Sequence, residues 1–142
     1  MKKLNKIGET CGKLNYVKAM TDVTGFGLLG HLLEMAEGSH LSAVIDFENV
    51  PLIIDDLKYY IDEKCIPGGT NRNWDSYGDK IENISEYQKT ILADPQTSGG
   101  LLIAVEEYSV EKVKQILLMQ EIEFIKPIGR FTKSFDKIII VN

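Results

Sequence analysis

Cysteine, positive charge and long apolar runs are all scarce in this 142-residue chain, and each scarcity excludes something. Two cysteines, Cys11 and Cys65, cannot build a disulfide framework or a cysteine-based zinc site. They are expected to be free thiols in a reducing cytoplasm. No apolar stretch approaches the roughly 20 residues of a membrane span. Met1-Lys2-Lys3 imitates the start of a signal peptide, but Asn5, Lys6, Glu9 and Thr10 follow where an apolar core is required. Lys plus Arg number 16 against 21 Asp plus Glu, a net charge of −5. With no basic stripe, duplex nucleic acid is not an expected partner. Internal repeats and low-complexity tracts are missing too.

What is present suits one soluble domain. Hydrophobic residues make up 44% and charged residues 26% of the chain, enough for a core of its own. Met1 to Asn15 reads as a lead-in with a short helix near Asn5 to Leu14, and Tyr16 to Met20 as a short strand. Phe26, Leu29, Leu32, Leu33 and Ala36 fall at helical spacing, with Thr24 as N-cap and Gly38 as the stop. Leu41 to Phe47 alternates like a strand. Asn49 and Pro51 suggest a helix start, with Ile53, Leu57, Tyr60 and Ile61 on its buried face. Cys65 to Lys80 reads as a long loop rich in Gly, Asn and Asp. Ser85 and Gln88 form a capping box for a helix reaching Ala93. Leu101 to Val105 is a short apolar strand, and Ser109 caps a helix carrying Val110, Val113, Ile116 and Leu117. Glu123 to Phe131 and Lys137 to Val141 are the last strands, expected to pair through Thr132 to Asp136. Helices and strands mix without strict βαβ alternation, so the predicted fold is α+β, a mixed sheet layered with helices.

Chemistry concentrates in Thr21-Asp22-Val23-Thr24-Gly25-Phe26-Gly27-Leu28-Leu29-Gly30-His31. A helix start there offers free N–H groups to phosphate oxygens, and Asp22 offers hard oxygen to Mg²⁺ bridging the same phosphates. The bland alternative is that Asp22 caps a turn and the glycines allow tight packing. Gly25, Gly27 and Gly30 also spell G-x-G-x-x-G, the outline of a dinucleotide fingerprint. Four residues separate the expected strand from those glycines. Unless a metal neutralised it, Asp22 would repel a pyrophosphate, and repeated βα units are lacking.

A second glycine stretch, Asp94-Pro95-Gln96-Thr97-Ser98-Gly99-Gly100, joins a helix to a strand. Its Thr97 and Ser98 hydroxyls either brace the Asp22 segment or face substrate. In the long loop, Gly68-Gly69-Thr70 is suited to wrapping a phosphate with Asn71 and Arg72 as donors; the alternative is an ordered surface loop. His31 reads as a packed or hydrogen-bonded residue, while Trp74 and Tyr77 either cover a cleft or pin the loop.

Ala19 to Leu32 resembles the start of the C-terminal domain of selenophosphate synthetase (selenide, water dikinase). That family stands within the wider aminoimidazole ribonucleotide synthetase group. Leu4-Asn5-Lys6, Pro67-Gly68-Gly69-Thr70-Asn71-Arg72-Asn73, Asp94 to Leu102 and Pro127-Ile128-Gly129-Arg130 match in the same order. The resemblance implies an enzyme that makes selenophosphate from selenide, ATP and water, releasing AMP and orthophosphate. It further implies a homodimer built by an N-terminal domain, with ATP and Mg²⁺ between that domain and this one.

Residues 1–15 would be the inter-domain lead-in and 16–142 the C-terminal domain. Asp22 is then a metal ligand, and Thr24, Gly25, Gly27, Thr70, Asn71 and Arg72 lie on the ATP side. The family's nucleophile and its partner lysine belong to the N-terminal domain, so Cys11 and Lys13 are not assigned those roles. No catalytic residue is expected in this chain. Two other classes stay open: a sibling synthetase or kinase of the wider group, and a free-standing phosphate-binding module.

Overall fold

In a computed structural model of the chain, residues 5–54, 56–122, 125–133 and 136–142 are described. Six helices and six strands lie among them, besides short 3-10 turns. A short helix α1 (Ile7–Cys11) leads into strand β1 (Val17–Asp22), which pairs antiparallel with β4 (Leu101–Val105), placing Asp22 opposite Leu101. These two strands form their own sheet. A second sheet has the order β3 (Ile81–Glu82), β6 (Ile139–Val141), β2 (Ser42–Ile45), β5 (Gly129–Thr132). Here β2 runs antiparallel to β5 and parallel to β6, and β6 parallel to β3. The α+β expectation holds.

Helix α2 (Gly27–Gly38) organises the core. Leu29, Leu32, Leu33 and Ala36 recur at the spacing of one helix face and are all buried. The three leucines join Ala43 and Ile45 of β2, Ile139 and Val141 of β6, and Leu102 of β4 in one core cluster. Each such fully buried Leu or Ile contributes roughly 1.5–3 kcal/mol. The helix ends at Gly38, as expected. His40 takes the left-handed conformation (φ 54°), and Leu41 N–H returns to the Ala36 carbonyl at 3.0 Å.

The expected hairpin between the last two strands is not formed. Strands β5 and β6 flank β2 on opposite sides. All four β2 residues are buried, so β2 takes the centre of the sheet and leaves its neighbours no shared edge. The first residues of the expected strand, Glu123 and Phe124, lie outside the described residues, as does Leu4.

Two more expectations change. Residues expected to form a helix from Asn49 instead give a 3-10 turn (Phe47–Asn49) and a later helix α3 (Leu57–Asp62) with no fully buried residue. Ile53 is 92% exposed and Tyr60 46%, so the expected buried face is not realised. Cys65 to Lys80 is not a long loop either. It contains helix α4 (Gly68–Tyr77) and a 3-10 turn (Gly78–Lys80). Thr70, Asn73 and Tyr77, at i, i+3 and i+7, are buried, and this inward face holds a helix that propensity alone would not.

Helix α5 (Glu86–Leu92) starts as expected. Ser85 Oγ accepts from Gln88 N–H, and Gln88 Oε1 accepts from Ser85 N–H at 2.9 Å. Helix α6 (Val110–Met119) follows Ser109, which is buried but makes no side-chain cap. Cys11 is buried, Cys65 exposed, and both are free. Burial pushes the Cys11 thiol up, away from reactivity. No helix among the described residues is long and apolar enough to cross a membrane.

Candidate functional site

Three glycine-containing segments, distant in sequence, are laced together at one end of the β1–β4 pair. Beyond the last strand pair, Val23 N–H donates to the Gly100 carbonyl at 3.0 Å, and Gly99 N–H to the Val23 carbonyl at 3.1 Å. The Thr24 carbonyl then accepts twice, from Gln96 N–H at 3.0 Å and Gly27 N–H at 3.1 Å. Asp22 to Gly27 therefore lies directly against Gln96 to Gly100.

Helix α4 locks the third segment on. Asn73 Nδ2 donates to the Gly25 carbonyl at 2.8 Å and to the Ala93 carbonyl at 2.9 Å. Tyr77 O–H donates to the Phe26 carbonyl at 2.8 Å, and Thr70 O–H to Asp94 Oδ1 at 3.3 Å. Gln96 Nε2 donates to the other Asp94 oxygen at 2.8 Å. Gly69 packs on Pro95 so closely that an added Cβ would sit 2.7 Å from its Cγ. Burial pushes the Tyr77 phenol well above its ordinary value, so it stays neutral and donating.

Asn73 was not among the sequence candidates, although it stands three residues after Thr70 in the same motif. Replacing it with alanine removes the donor to the Gly25 and Ala93 carbonyls. The expected cost is about 1–3 kcal/mol, because the buried Ala93 carbonyl loses its solvation without return, while the carbonyl of exposed Gly25 turns to water. Urea unfolding of Asn73→Ala measures it, and a midpoint within error of wild type would contradict the bridging role.

Asp94 titrates against the fold. Burial raises its pKa above the ordinary 3.8 of an aspartate, and the Thr70 and Gln96 hydrogen bonds only partly offset that. Just above pH 3.8 the folded chain thus holds this proton more tightly than the unfolded chain. Stability contributed by protonated Asp94 is present at lower pH and lost as pH rises through the raised value. Asp94→Asn is expected to make the stability–pH slope less negative there, measured by thermal melts; an identical slope would contradict it.

The sequence-singled residues divide into framework and rim. Gly27 is framework: it is buried at φ +71°, and an added Cβ would stand 2.8 Å from the Ala93 carbonyl carbon. Thr24 does not cap α2, whose N-cap is Phe26; its hydroxyl lies 3.1 Å from His31 Nε2. Thr70 is buried and bonded to Asp94, so its hydroxyl faces the frame. Bracing of the Asp22 segment comes from the backbone of Gln96, Gly99 and Gly100, not from Thr97 and Ser98. Those two side chains are exposed and make no hydrogen bond among the described residues.

On the rim stand Asp22, Gly25, Asn71, Arg72, Thr97 and Ser98, all exposed. Arg72 Nη1 lies over the first turn of α4, 3.7 Å from where a Gly68 Cβ would be. Phe26, expected on the apolar face of α2, is instead its N-cap and 56% exposed, and adds an aromatic face to the rim. Trp74 packs on Gly78 and under Lys89, whose Nζ is 5.2 Å from the ring; Tyr77 is core.

Asp22 caps no turn. Its carboxylate has no hydrogen bond or ion pair among the described residues. A free, hard oxygen donor held on hydrogen-bonded backbone fits a share in a Mg²⁺ site. No three His, Cys, Asp or Glu side chains gather around one point among the described residues, so further ligands would come from outside them. The dinucleotide fingerprint fails on topology. Strand β1 does run to Asp22, closer to the glycines than expected, yet β1 and β2 lie in different sheets and make no βαβ unit.

The three laced segments sit on a helix-layered α+β domain, and comparison with known proteins shows the family of that domain. The family model described as AIR synthase related protein, C-terminal domain, matches residues 1–142, and the chain belongs to that family. Within it, the curated relatives point one way. The selenide, water dikinase of Aeromonas hydrophila is 53% identical over 127 residues, covering 89% of this chain and 36% of that protein. That of Haemophilus influenzae is 49% identical over 142 residues, and that of Pasteurella multocida 48% over 143; each match covers all of this chain and 40% of the relative. The chain spans about two fifths of the length of these relatives. The resemblance read from the ordered motifs is borne out.

Proposed function

We infer that this chain is the C-terminal part of a selenophosphate-forming phosphotransferase. The enzyme would use selenide, ATP and water and release AMP and orthophosphate. Residues 16–142 form the domain and 1–15 the lead-in to an N-terminal domain, which supplies the nucleophile and pairs the cytoplasmic homodimer. The observation that carries this reading is the lacing of the three motifs around an Asp22 carboxylate with no partner among the described residues.

Asp22 would be a ligand of Mg²⁺, which would supply charge neutralisation on the triphosphate. Arg72 and Asn71 donate to phosphate oxygens beside the Gly68–Gly69 turn, and Gly25 lets the backbone approach. Thr97 and Ser98 line the same rim on the substrate side. Phosphoryl transfer depends on positioning and charge stabilisation, and one wall of a shared cleft supplies only part of either.

A chimera tests this. The present chain replaces the matching residues of the Haemophilus influenzae relative, and selenide-dependent AMP formation from ATP is followed. The chimera is expected to turn over and the chain alone to show no activity. A folded but inactive chimera, or an active lone chain, would overturn the assignment. AMP formation driven by another acceptor in place of selenide would favour a sibling enzyme.

A further inference from the structure

Behind the Asp22 segment lies a line of three polar side chains. His31, on the first turns of α2, is only 7% exposed. Its Nε2 is 3.1 Å from Thr24 Oγ1, and its Nδ1 is 3.3 Å from a Glu34 carboxylate oxygen. Nδ1 is buried and the carboxylate is out of line, so no hydrogen bond closes there. Glu34 itself is 65% exposed in its side chain, free to swing the remaining way. The Phe26 ring meets the imidazole edge-on at 5.9 Å between centroids and shields it from one side.

A neutral imidazole protonates one nitrogen only. A lone pair on Nδ1 would face the Glu34 carboxylate and be repelled, whereas an N–H there is attracted. Carboxylate orientation of a histidine tautomer is a general device. With Nδ1 protonated, Nε2 is an acceptor, and the Thr24 O–H must be its donor. The outward side of Thr24 Oγ1 is then lone pair alone. Such an oxygen suits a cation and has no proton to give a phosphate oxygen.

The geometry points to His31 and Glu34 as positioning residues that fix Thr24 as an oxygen donor on the cation side of the site, beside Asp22, instead of on the phosphate side. Thr24 suits that role. Its carbonyl is already pinned by Gly27 and Gln96, and Val23, between it and Asp22, is turned into the core. This inference rests on the reading of Asp22 as a cation ligand, and the experiment separates the two.

Nuclear magnetic resonance gives two readouts, the first on this chain as it stands. Long-range proton–nitrogen correlations of the imidazole identify the protonated nitrogen without any metal. The expected result is Nδ1–H for His31; a ring protonated at Nε2 overturns the inference. Glu34→Gln, an exposed change, is expected to move part of the ring population to Nε2–H, and an unmoved population counts against Glu34.

Mn²⁺ added in small amounts to the chimera, which has both walls of the cleft, is the second probe, read as paramagnetic broadening of the amides at 22–25. Thr24→Val is expected to weaken that binding about tenfold and Thr24→Ser to restore it, in the range typical of groups supporting a metal site. If Asp22→Ala abolishes the broadening and Thr24→Val leaves it unchanged, the assignment of Thr24 fails alone. If Asp22→Ala leaves it intact, or wild type shows none, the cation reading fails as well.

Discussion

Asp22→Ala in the active chimera is expected to lower kcat by about 10²-fold or more, because removing a ligand of a charge-neutralising metal removes stabilisation concentrated in the transition state. The melting temperature should not move with it. The carboxylate is exposed and has no partner among the described residues, so its loss breaks no internal contact. This combination, large in rate and flat in stability, separates a ligand from a turn cap, which would cost stability first. Asp22→Asn should behave like the alanine variant in rate, since a neutral amide oxygen is a poorer partner for Mg²⁺. Steady-state assays with paired thermal melts measure both. Turnover within a factor of two of wild type would remove Asp22 from the site.

Gly27→Ala should do the reverse and unfold before it misfunctions. Gly27 sits at φ +71°, where a Cβ costs roughly 1–2 kcal/mol. The new carbon would also press on Ala93 backbone at 2.8 Å and the Leu92 carbonyl oxygen at 2.9 Å, atoms that cannot rotate away. About 3–5 kcal/mol of lost stability is expected, within the range of strain at special backbone positions. Two residues earlier, an alanine at Gly25 would meet nothing within 4 Å, and its φ is not positive. Gly25→Ala should change stability by no more than about 0.5 kcal/mol while weakening ATP binding in the chimera. Urea midpoints for the pair decide it. Equal destabilisation by both would mean that the motif glycines serve packing alone.

What the sequence carried openly, and what it hid, follows from where the stabilising contacts lie. Local signals read well. The Ser85–Gln88 capping box closes within one helical turn, and the apolar run Leu101 to Val105 forms its strand without distant information. The core face of α2 is legible because its period is set by one helix.

Helix α4 was illegible for the opposite reason. Gly68-Gly69-Thr70-Asn71-Arg72-Asn73 has poor helix propensity, and its buried face is polar. Thr70 and Asn73 bond to Asp94, Ala93 and Gly25, which lie 24, 20 and 48 residues away. Side chains that looked like phosphate donors from their spacing proved in part to be the struts of the site. The pairing of β5 and β6 was misjudged in the same way, since nearness in sequence suggested a hairpin while the buried β2 claimed both partners. In the candidate site, motif order revealed which segments matter. Only the fold separates Asp22, Asn71 and Arg72 on the rim from Gly27 and Thr70 in the frame.

The most direct measurement counts Mn²⁺ ions bound with ATP to the chimera, by electron paramagnetic resonance, with and without Asp22. With alanine at position 22, either one ion fewer should bind or one site should weaken at least about tenfold. Unchanged stoichiometry and affinity, together with undiminished turnover, would contradict the assignment of this carboxylate to the metal.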